Sequence, residues 1–336
     1  MPSIYDVARE ARVSIATVSR VFRGTAPVSA ATRERVLAAA RALGYRPNRI
    51  ARALAEGRTR AIGVMLPTDI SNPFYAQLAQ HVASCARTAS YDVAVGLPPD
   101  DSVESFLETT AALEERQVDG LLLCASCSRV AAYAARRPQG ACPAVAVGCL
   151  PTVDVPLVSA DEEYGGYLIT NHLLALGHRR VAFLCAPGQP GTAHPQGREH
   201  GYIRAMDARG LEPLLWHGVG TLESGYTRVR DLMAEHGDLT ALVAVNDAAA
   251  LGALRALYEL KRPVPAHVSL TGFDNVVQGV YSAPALTSVD LPVAEMAERA
   301  VRLLLSLVGC DGTVPTRIIV RPRLVVREST APPRPH

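Results

Sequence analysis

Several apolar segments of the sequence end in polar or aromatic residues that could bind a small molecule. Asn246 follows the segment ALVAV, and Asp274 follows VSLTGF. Phe74 lies in SNPFY after the first apolar segment, and Arg198 lies in GREHGY. Amides, a carboxylate, an arginine and an aromatic ring together suit a polyhydroxylated or anionic ligand. These residue types predict a small-molecule site, provided that the fold brings them together.

The alternative interpretation of each polar residue is a helix cap. Asn72 and Asp247 both stand where a helix could begin, and a side-chain oxygen there would accept a backbone N–H. Agreement among four segment ends favours a binding site over caps alone.

A second candidate site lies near the N-terminus, in SIYDVAREARVSIATVSRVF, residues 3–22. Ser3 and Asp6 form an approximate capping box for a first helix, and Ser14 caps a second. In helix–turn–helix proteins the second helix enters the major groove with its N-terminal residues facing base edges. Arg20 there could contact guanine through two hydrogen bonds, worth about 1–3 kcal/mol of discrimination. The residues on this face are Ser14, Ile15, Ala16 and Thr17, followed by Ser19 and Arg20.

Charge favours DNA binding over the alternative, a small helical hairpin within some other domain. A third helix, predicted over residues 29–43 before Gly44, would complete a core with the first two. Residues 1–60 hold twelve arginines against four acidic residues, a net of +8. Because the whole chain is only +2, residues 61–336 carry −6. Phosphate binding requires such a basic region.

Residues 47–60, PNRIARALAEGRTR, predict a linker. Asn48 could cap a helix of about nine residues, which is marginal in water without partners. We expect this segment to become helical only when something packs on it. Leu54, among arginines, is similar to the apolar wedges that minor-groove binders insert between base steps. The alternative is a flexible linker whose leucine covers the next domain.

From Ala61 the sequence alternates between apolar strands and helices, which include helices over Val130–Arg136 and around Gly201–Ala208. Near-continuous apolar strands separated by helices predict parallel sheets covered on both faces. Two such series predict two doubly wound lobes. The predicted fold is therefore a small all-α helix–turn–helix head followed by an α/β core of two parallel-sheet lobes. Ligands in such folds bind beyond the carboxyl ends of the strands, so the cleft between the lobes is the expected site.

Composition argues against several other classes of protein. The N-terminus lacks the apolar run of a signal peptide, and no stretch approaches the roughly 20 apolar residues of a membrane span, so we expect a cytoplasmic protein without a membrane partner. The seven cysteines are odd in number and scattered, which favours reduced thiols. Cys124 and Cys127 form a single C-x-x-C without a second pair, so no metal site is predicted. No nucleophile–base pair is evident, and Lys261, the one lysine, lies beyond a helix end.

Motifs along the chain resemble those of the lactose-repressor (LacI) family of bacterial transcription regulators. In the head and linker they are IYDVAREA, VS-x-ATVSRV, TRERV, LGYRPN and ARALAEGRT. In the core they are GVMLPTDISNPFYAQL, QVDGLLL, LGHRRVAFL, GYIRAM, VNDAAALGAL, VSLTGFDN, PALTSV and RPRLVVREST. The resemblance spans essentially the whole chain in the family's order.

The resemblance implies a homodimer that binds a pseudo-palindromic operator, one head per half-site. It also implies hinge helices that form on DNA and insert a leucine pair, here Leu54, into the minor groove. The DNA-binding residues expected on this basis are Tyr5, Ser14, Ile15, Ala16, Thr17, Ser19, Arg20, Asn48, Arg52, Ala53 and Leu54. The C-terminal APPRPH has no leucine heptads, which favours a dimer over a tetramer.

For the core, the resemblance implies a sensor similar to periplasmic sugar-binding proteins. A metabolite in the cleft would shift the lobes and strengthen or break the contact between hinge and DNA. The family's ligand positions carry over to Phe74, Arg198, Asn246 and Asp274, and His194 lies where purine-type sensors place a contact. A sugar or sugar derivative is the expected effector, and no other cofactor is expected.

The domain boundaries expected from these patterns are residues 1–46 for the head and 47–60 for the hinge helix and linker. Residues 61–336 would form the effector-binding and dimerisation domain, with an N-lobe of about 61–160 and 291–318 and a C-lobe of about 161–290 and 319–330. Two other interpretations remain, an extracytoplasmic solute-binding protein and an enzyme acting in the cleft. The basic head and the absence of a signal peptide argue against the first, and the absence of catalytic patterns argues against the second.

The sequence departs from the family pattern at four places. Arg12 stands at a turn position where many members have glycine, so the turn is either strained or has no need of a positive φ. Ile15 and Ala16 form an apolar specificity pair that would read thymine methyl groups. Gly220 stands where several members place a stacking aromatic residue, with Trp216 as a nearby substitute. Gly148 and Cys149 replace an Asp–Arg pair of related sugar binders.

Overall fold

The computed structural model describes residues 2–23, 27–45, 57–68, 70, 72–137, 141–148, 155–186, 197–309 and 315–334. The chain forms two compact units, Met1–Arg60 and Ala61–His336. Five residues of the predicted sites lie outside the described residues: Asn48, Arg52, Ala53, Leu54 and His194.

The first unit contains three helices, α1 (Ile4–Glu10), α2 (Ile15–Arg23) and α3 (Ala30–Ala42). The predicted capping box is present, because the Asp6 N–H donates to the Ser3 hydroxyl and the Ser3 N–H donates to the Asp6 carboxylate. Ser14 accepts the Thr17 N–H at 3.1 Å and so caps α2. The sequence signals for helix starts therefore correspond to real hydrogen bonds.

The three helices bury a small apolar core, as their spacing predicted. It consists of Val7, Ala8, Ala11, Val18, Val21, Val36, Ala39 and Ala40. In the turn between α1 and α2, Arg12 has a φ of +52°. The turn therefore does require the left-handed conformation, which costs a residue with a Cβ about 1–2 kcal/mol. Of the two alternatives for Arg12, strain is the one observed.

The second unit contains two six-stranded sheets. The N-lobe sheet has the order β11-β5-β4-β3-β1-β2, and all its pairs are parallel. Its strands are β1 (Ala61–Met65), β2 (Asp92–Gly96), β3 (Gly120–Leu123), β4 (Ala144–Val147), β5 (Leu157–Ala160) and β11 (Arg317–Val320). Its helices are α4 (Pro73–Thr88), α5 (Val103–Glu115), α6 (Cys127–Arg136) and α12 (Val293–Gly309).

The C-lobe sheet has the order β12-β10-β9-β8-β6-β7, with only β12 antiparallel. Its strands are β6 (Val181–Ala186), β7 (Leu214–His217), β8 (Ala241–Ala244), β9 (Ser269–Phe273), β10 (Thr287–Asp290) and β12 (Arg323–Val325). Its helices are α7 (Glu162–Ala175), α8 (Arg198–Asp207), α9 (Leu222–Glu235), α10 (Asp247–Glu259) and the short α11 (Val277–Val280). The predicted pair of doubly wound lobes is confirmed.

The apolar strands form because they are covered on both faces. Every residue of β3, β4, β5, β6 and β8 is buried, whereas β2, at the sheet edge, is partly exposed. The chain passes between the lobes three times, after β5, after β10 and after β11. No described helix is long and apolar enough to cross a membrane.

Two predicted helices have different starts. The helix predicted from Val130 begins at Cys127. The prediction started one turn too late because the first turn is polar and carries no apolar periodicity. The helix predicted around Gly201 begins at Arg198, directly after Gly197, whose φ is +55°. This second difference matters because it makes Arg198 the first residue of a helix at the edge of the cleft.

Candidate functional site

A polar cavity of about 130 Å³ lies between the lobes at the carboxyl ends of the strands. Four of the five residues predicted for the effector site line it: Phe74, Arg198, Asn246 and Asp274. The other lining residues are Asn72, Tyr75, Cys124, Ala125, Val147, Gly148, Ala160, Glu162, Leu291 and Met296. Because both sheets direct their carboxyl ends here, residues far apart in sequence converge.

Asn72 and Asp274 join the two lobes across this cavity. Asn72 is the N-cap of α4 in the N-lobe, and its side-chain oxygen accepts the Phe74 N–H at 3.0 Å. Its Nδ2 donates to Asp274 Oδ2, on the C-lobe, at 3.0 Å. Asn72 therefore both caps α4 and lines the cavity.

Arg198 lies at the centre of the charged part of the cavity. Its Nη1 donates to the Val245 carbonyl at 2.8 Å, and its Nη2 donates to Glu162 Oε1 at 3.0 Å. The guanidinium carbon lies 4.0 Å from the centre of the Phe273 ring. Burial lowers the pKa of Arg198, but Glu162 and Asp274 raise it by more, so the net shift is upward and the group stays charged.

Asp274 is buried and strained. Its φ is +97°, in the region that residues with a Cβ rarely adopt, and such strain clusters at functional sites. Its Oδ1 lies 3.1 Å from Arg198 Nη2 but is not aligned for a hydrogen bond, so this buried oxygen has no hydrogen-bond partner among the described residues. Burial raises the pKa of Asp274, and Arg198 opposes that rise.

Asn246 is the N-cap of α10, where its oxygen accepts the Ala249 N–H at 2.9 Å. Its Nδ2 donates to the Gly220 carbonyl at 2.8 Å, and a Cβ at Gly220 would lie 2.6 Å from that nitrogen. Asp247, considered above as a cap, is instead the first helical residue. Trp216 packs against the His236 ring and does not line the cavity, so it does not replace the missing aromatic residue.

The remaining wall of the cavity is apolar and aromatic. Phe74 and Tyr75 meet edge to face with ring centres 5.2 Å apart. Burial, reinforced by Asp274, raises the pKa of Tyr75 to about 12, and burial raises the pKa of Cys124 to about 12. Both groups are therefore neutral at pH 7 and act as hydrogen-bonding or packing groups.

Glu162 is the charged residue that the sequence analysis missed. It comes two residues after β5, so the rule that selected Asn246 and Asp274 would have found it at this strand end too. Leu291 and Met296 were missed because the chain after β10 was not assigned to elements. Gly148 lines the cavity without a side chain, while Cys149 lies outside the described residues.

The predicted DNA-contacting residues of the first unit that the structure describes are exposed or partly exposed. Tyr5 is 64% exposed and Ile15 is 40% exposed. Ser14, Ala16 and Arg20 are exposed, and Thr17 and Ser19 are partly exposed. The Ser14 and Thr17 hydroxyls lie 2.9 Å apart. None of these side chains belongs to the core of the head, so all are available to a partner.

Within the described parts of the chain, no group of three or more His, Cys, Asp or Glu side chains is placed to hold a metal ion. The cavity offers hydrogen-bond donors and acceptors, two carboxyl groups and aromatic surface. That chemistry suits recognition of a small polar molecule.

Comparison with known proteins covers both units. Residues 3–48 match the model of the bacterial regulatory proteins of the lacI family, and residues 170–330 match a periplasmic binding protein-like domain. The ribose operon repressor of Halalkalibacterium halodurans is 30% identical over 330 residues, which cover 98% of this chain and 97% of that protein.

Two solved structures are similar over nearly the whole chain. The lac repressor dimer bound to operator and the anti-inducer ONPF has a TM-score of 0.85 and 28% identity, and covers 98% of this chain and 99% of its own. The complex of the transcriptional regulator CelR with cellobiose has a TM-score of 0.70 and 30% identity. The match covers 98% of this chain and 100% of the CelR chain.

Proposed function

This chain belongs to the lacI family of bacterial regulatory proteins, and on that premise we propose that it represses transcription from an operator whose occupancy depends on a sugar. One observation carries the proposal. A head with an exposed recognition surface and a core with a polar cavity occur in one chain, whose relatives match it from end to end. The relatives are regulators, so we propose that this protein binds its ligand without converting it.

The DNA side of the proposal rests on the head. A homodimer would place two α2 helices in successive major grooves of a pseudo-palindromic operator in the cytoplasm. Tyr5, Ser14, Ile15, Ala16, Thr17, Ser19 and Arg20 would contact DNA from the head, and Asn48, Arg52, Ala53 and Leu54 from the linker. The net charge of +8 over residues 1–60 would supply most of the salt-dependent affinity.

The effector side rests on the cavity. Phe74, Arg198, Asn246 and Asp274 would contact the effector, and His194 would complete the site from its loop. Support for a sugar comes from the hydrogen-bonding and aromatic lining, and from relatives named for ribose and solved with cellobiose. Residues 1–46, 47–60 and 61–336 would then serve as head, hinge and effector-binding domain, with the lobes divided near residues 160, 290 and 318.

The proposal is tested by selecting DNA from a random pool with the full-length protein, and then asking which sugars change the affinity for the selected site. We expect a two-fold symmetric site and at least one sugar that alters binding. A protein that selects no symmetric site would contradict the repressor function. A selected site that no sugar affects would contradict the effector class.

Asp274→Ala should remove the response to that sugar while operator binding remains. The variant loses the carboxylate that joins Asn72 and faces Arg198, and it leaves the head unchanged. The measurement is operator affinity with and without the sugar. A variant that responds at wild-type concentrations would show that the ligand does not bind through Asp274.

A further inference from the structure

The positive charge beside the cavity is compensated before any ligand binds. Among the described lining residues the charged side chains are Arg198, Glu162 and Asp274. One guanidinium therefore faces two carboxyl groups of the same chain. Whatever the protonation of the buried Asp274, the ion pair with Glu162 alone already compensates the positive charge of Arg198.

Both terminal nitrogens of the Arg198 guanidinium already donate a hydrogen bond within the protein. Nη1 donates to the Val245 carbonyl at 2.8 Å, and Nη2 donates to Glu162 Oε1 at 3.0 Å. The 3.1 Å contact between Nη2 and Asp274 Oδ1 is an ion pair without hydrogen-bond alignment. One face of the guanidinium lies on Phe273. A carboxylate or phosphate on a ligand at Arg198 would lie close to the Glu162 carboxylate, and displacing Glu162 would leave that carboxylate unpaired in a partly buried site. Both outcomes are unfavourable.

In contrast to Arg198, one hydrogen-bond acceptor beside the cavity has no donor in the described part of the chain. Asp274 Oδ1 is buried without a hydrogen-bond partner among the described residues, and Asp274 lines the cavity. A buried acceptor of this kind is satisfied by a hydroxyl donor and repelled by an anion. This oxygen therefore favours a ligand that donates a hydrogen bond over a ligand that carries a negative charge.

Resting on the sugar-responsive function proposed above, we infer that Glu162 sets the charge specificity of the cavity. It excludes sugar acids and sugar phosphates, and it leaves uncharged sugars as the effector class. Glu162 acts through Arg198: it compensates the positive charge that would otherwise attract an anionic ligand.

The test compares the full-length wild type with Glu162→Gln, which removes one negative charge and nearly keeps the shape. Glu163→Gln is the matched control, because Glu163 is the next residue of α7 but pairs with Arg204 and His200, outside the cavity lining. The ligands are glucose, glucuronate and glucose 6-phosphate, together with the matching galactose and ribose series. Binding is measured by thermal shift and titration calorimetry at constant ionic strength.

We expect the wild type and Glu163→Gln to bind the uncharged member of a series and not its charged members. Glu162→Gln should raise the affinity for the acid or phosphate relative to the uncharged sugar by about tenfold or more, since a like charge is removed at close range. Wild-type protein that prefers an acid or phosphate over the uncharged sugar would overturn the inference. So would an unchanged ratio in Glu162→Gln.

Inorganic phosphate provides a readout that does not depend on finding the sugar. At fixed ionic strength, replacing chloride by phosphate should stabilise Glu162→Gln more than the wild type, and Glu163→Gln should match the wild type. Binding of phosphate to the basic head is common to all three proteins and cancels. Equal responses in the wild type and Glu162→Gln, including no response in either, would overturn the inference. Failure to select an operator would instead affect only the proposed function.

Discussion

At the scale of single residues, the most unusual groups are buried carboxyls beside the cavity. Asp247 is fully buried, and it accepts the Ser288 hydroxyl at 2.6 Å and the Val276 N–H at 2.7 Å. Burial raises its pKa to about 7, and the Asp274 charge adds to that rise. Asp247 thereby connects the start of α10 to strand β10 and to the segment after β9, which carries Asp274.

The raised pKa of Asp247 predicts the pH dependence of stability. The folded chain holds this proton up to about pH 7, whereas the unfolded chain loses it near the ordinary aspartate pKa of 3.8. Between these values the unfolded state binds fewer protons, so the contribution of Asp247 to the free energy of unfolding decreases as pH rises. That contribution should fall by roughly 2–3 kcal/mol between pH 5 and 7.5.

Asp247→Asn should flatten this dependence, because an amide keeps the shape and does not ionise. The measurement is urea unfolding at several pH values between 5 and 7.5. The control is Asp231→Asn, which removes an exposed carboxylate of α9. If Asp247→Asn and the wild type lose stability in parallel, Asp247 does not titrate in this range.

At the scale of elements, helices α7 and α8 set the distance between Glu162 and Arg198. Glu162 is the first residue of α7, and Arg198 is the first residue of α8. The two helices cross in direct backbone contact at glycines. A Cβ at Gly201 would lie 2.0 Å from the Glu163 carbonyl oxygen, and one at Gly166 would lie 2.1 Å from the Arg198 carbonyl oxygen. The ion pair in the cavity therefore depends on this close crossing.

Gly201→Ala should destabilise the core by about 1–3 kcal/mol, because the clash is with backbone and no side-chain rotation relieves it. Alanine also gains about 1 kcal/mol in helix propensity, which opposes the clash. Separation of α7 and α8 should weaken sugar binding as well. The measurements are urea unfolding and sugar affinity.

Gly237→Ala is the control for this substitution, since the nearest atom to a Cβ there is 3.5 Å away. It should change stability by less than about 0.5 kcal/mol. Equal stabilities of Gly201→Ala and the wild type would show that the helices can separate without cost.

At the scale of the whole molecule, charge is divided between the two units. Residues 1–60 carry +8 and residues 61–336 carry −6. In the proposed function this division directs the head to the phosphate backbone and keeps the core from binding nucleic acid nonspecifically. The linker residues between them would transmit the state of the cavity to the head.

Leu54→Ala should weaken binding to the selected operator by about tenfold or more, because burying a leucine side chain is worth about 1.5–3 kcal/mol. The affinity of the core for its sugar should stay nearly unchanged. The measurements are operator affinity and the thermal shift with sugar on the same protein. Unchanged operator affinity would refute a minor-groove role for Leu54.

The sequence alone determined the architecture, because local physics encodes it. Capping residues marked α1 and α2, apolar spacing marked the core of the head, and near-continuous apolar strands marked two parallel sheets. Parallel strands place their carboxyl ends at one edge, so Phe74, Arg198, Asn246 and Asp274 could be assigned to one cleft from strand ends and from the family resemblance.

Only the tertiary structure decided how those residues are paired. Glu162 pairs with Arg198, Asp274 Oδ1 lacks a hydrogen-bond partner among the described residues, and Trp216 packs on His236 without lining the cavity. These pairings depend on helix crossings and loop paths. The bond from Arg198 to Glu162 joins residues 36 positions apart, and the bond from Asn72 to Asp274 joins residues 202 positions apart. A sequence pattern does not specify the distance or orientation between such residues. Charge specificity is a property of those contacts, and so it became visible only in the folded chain.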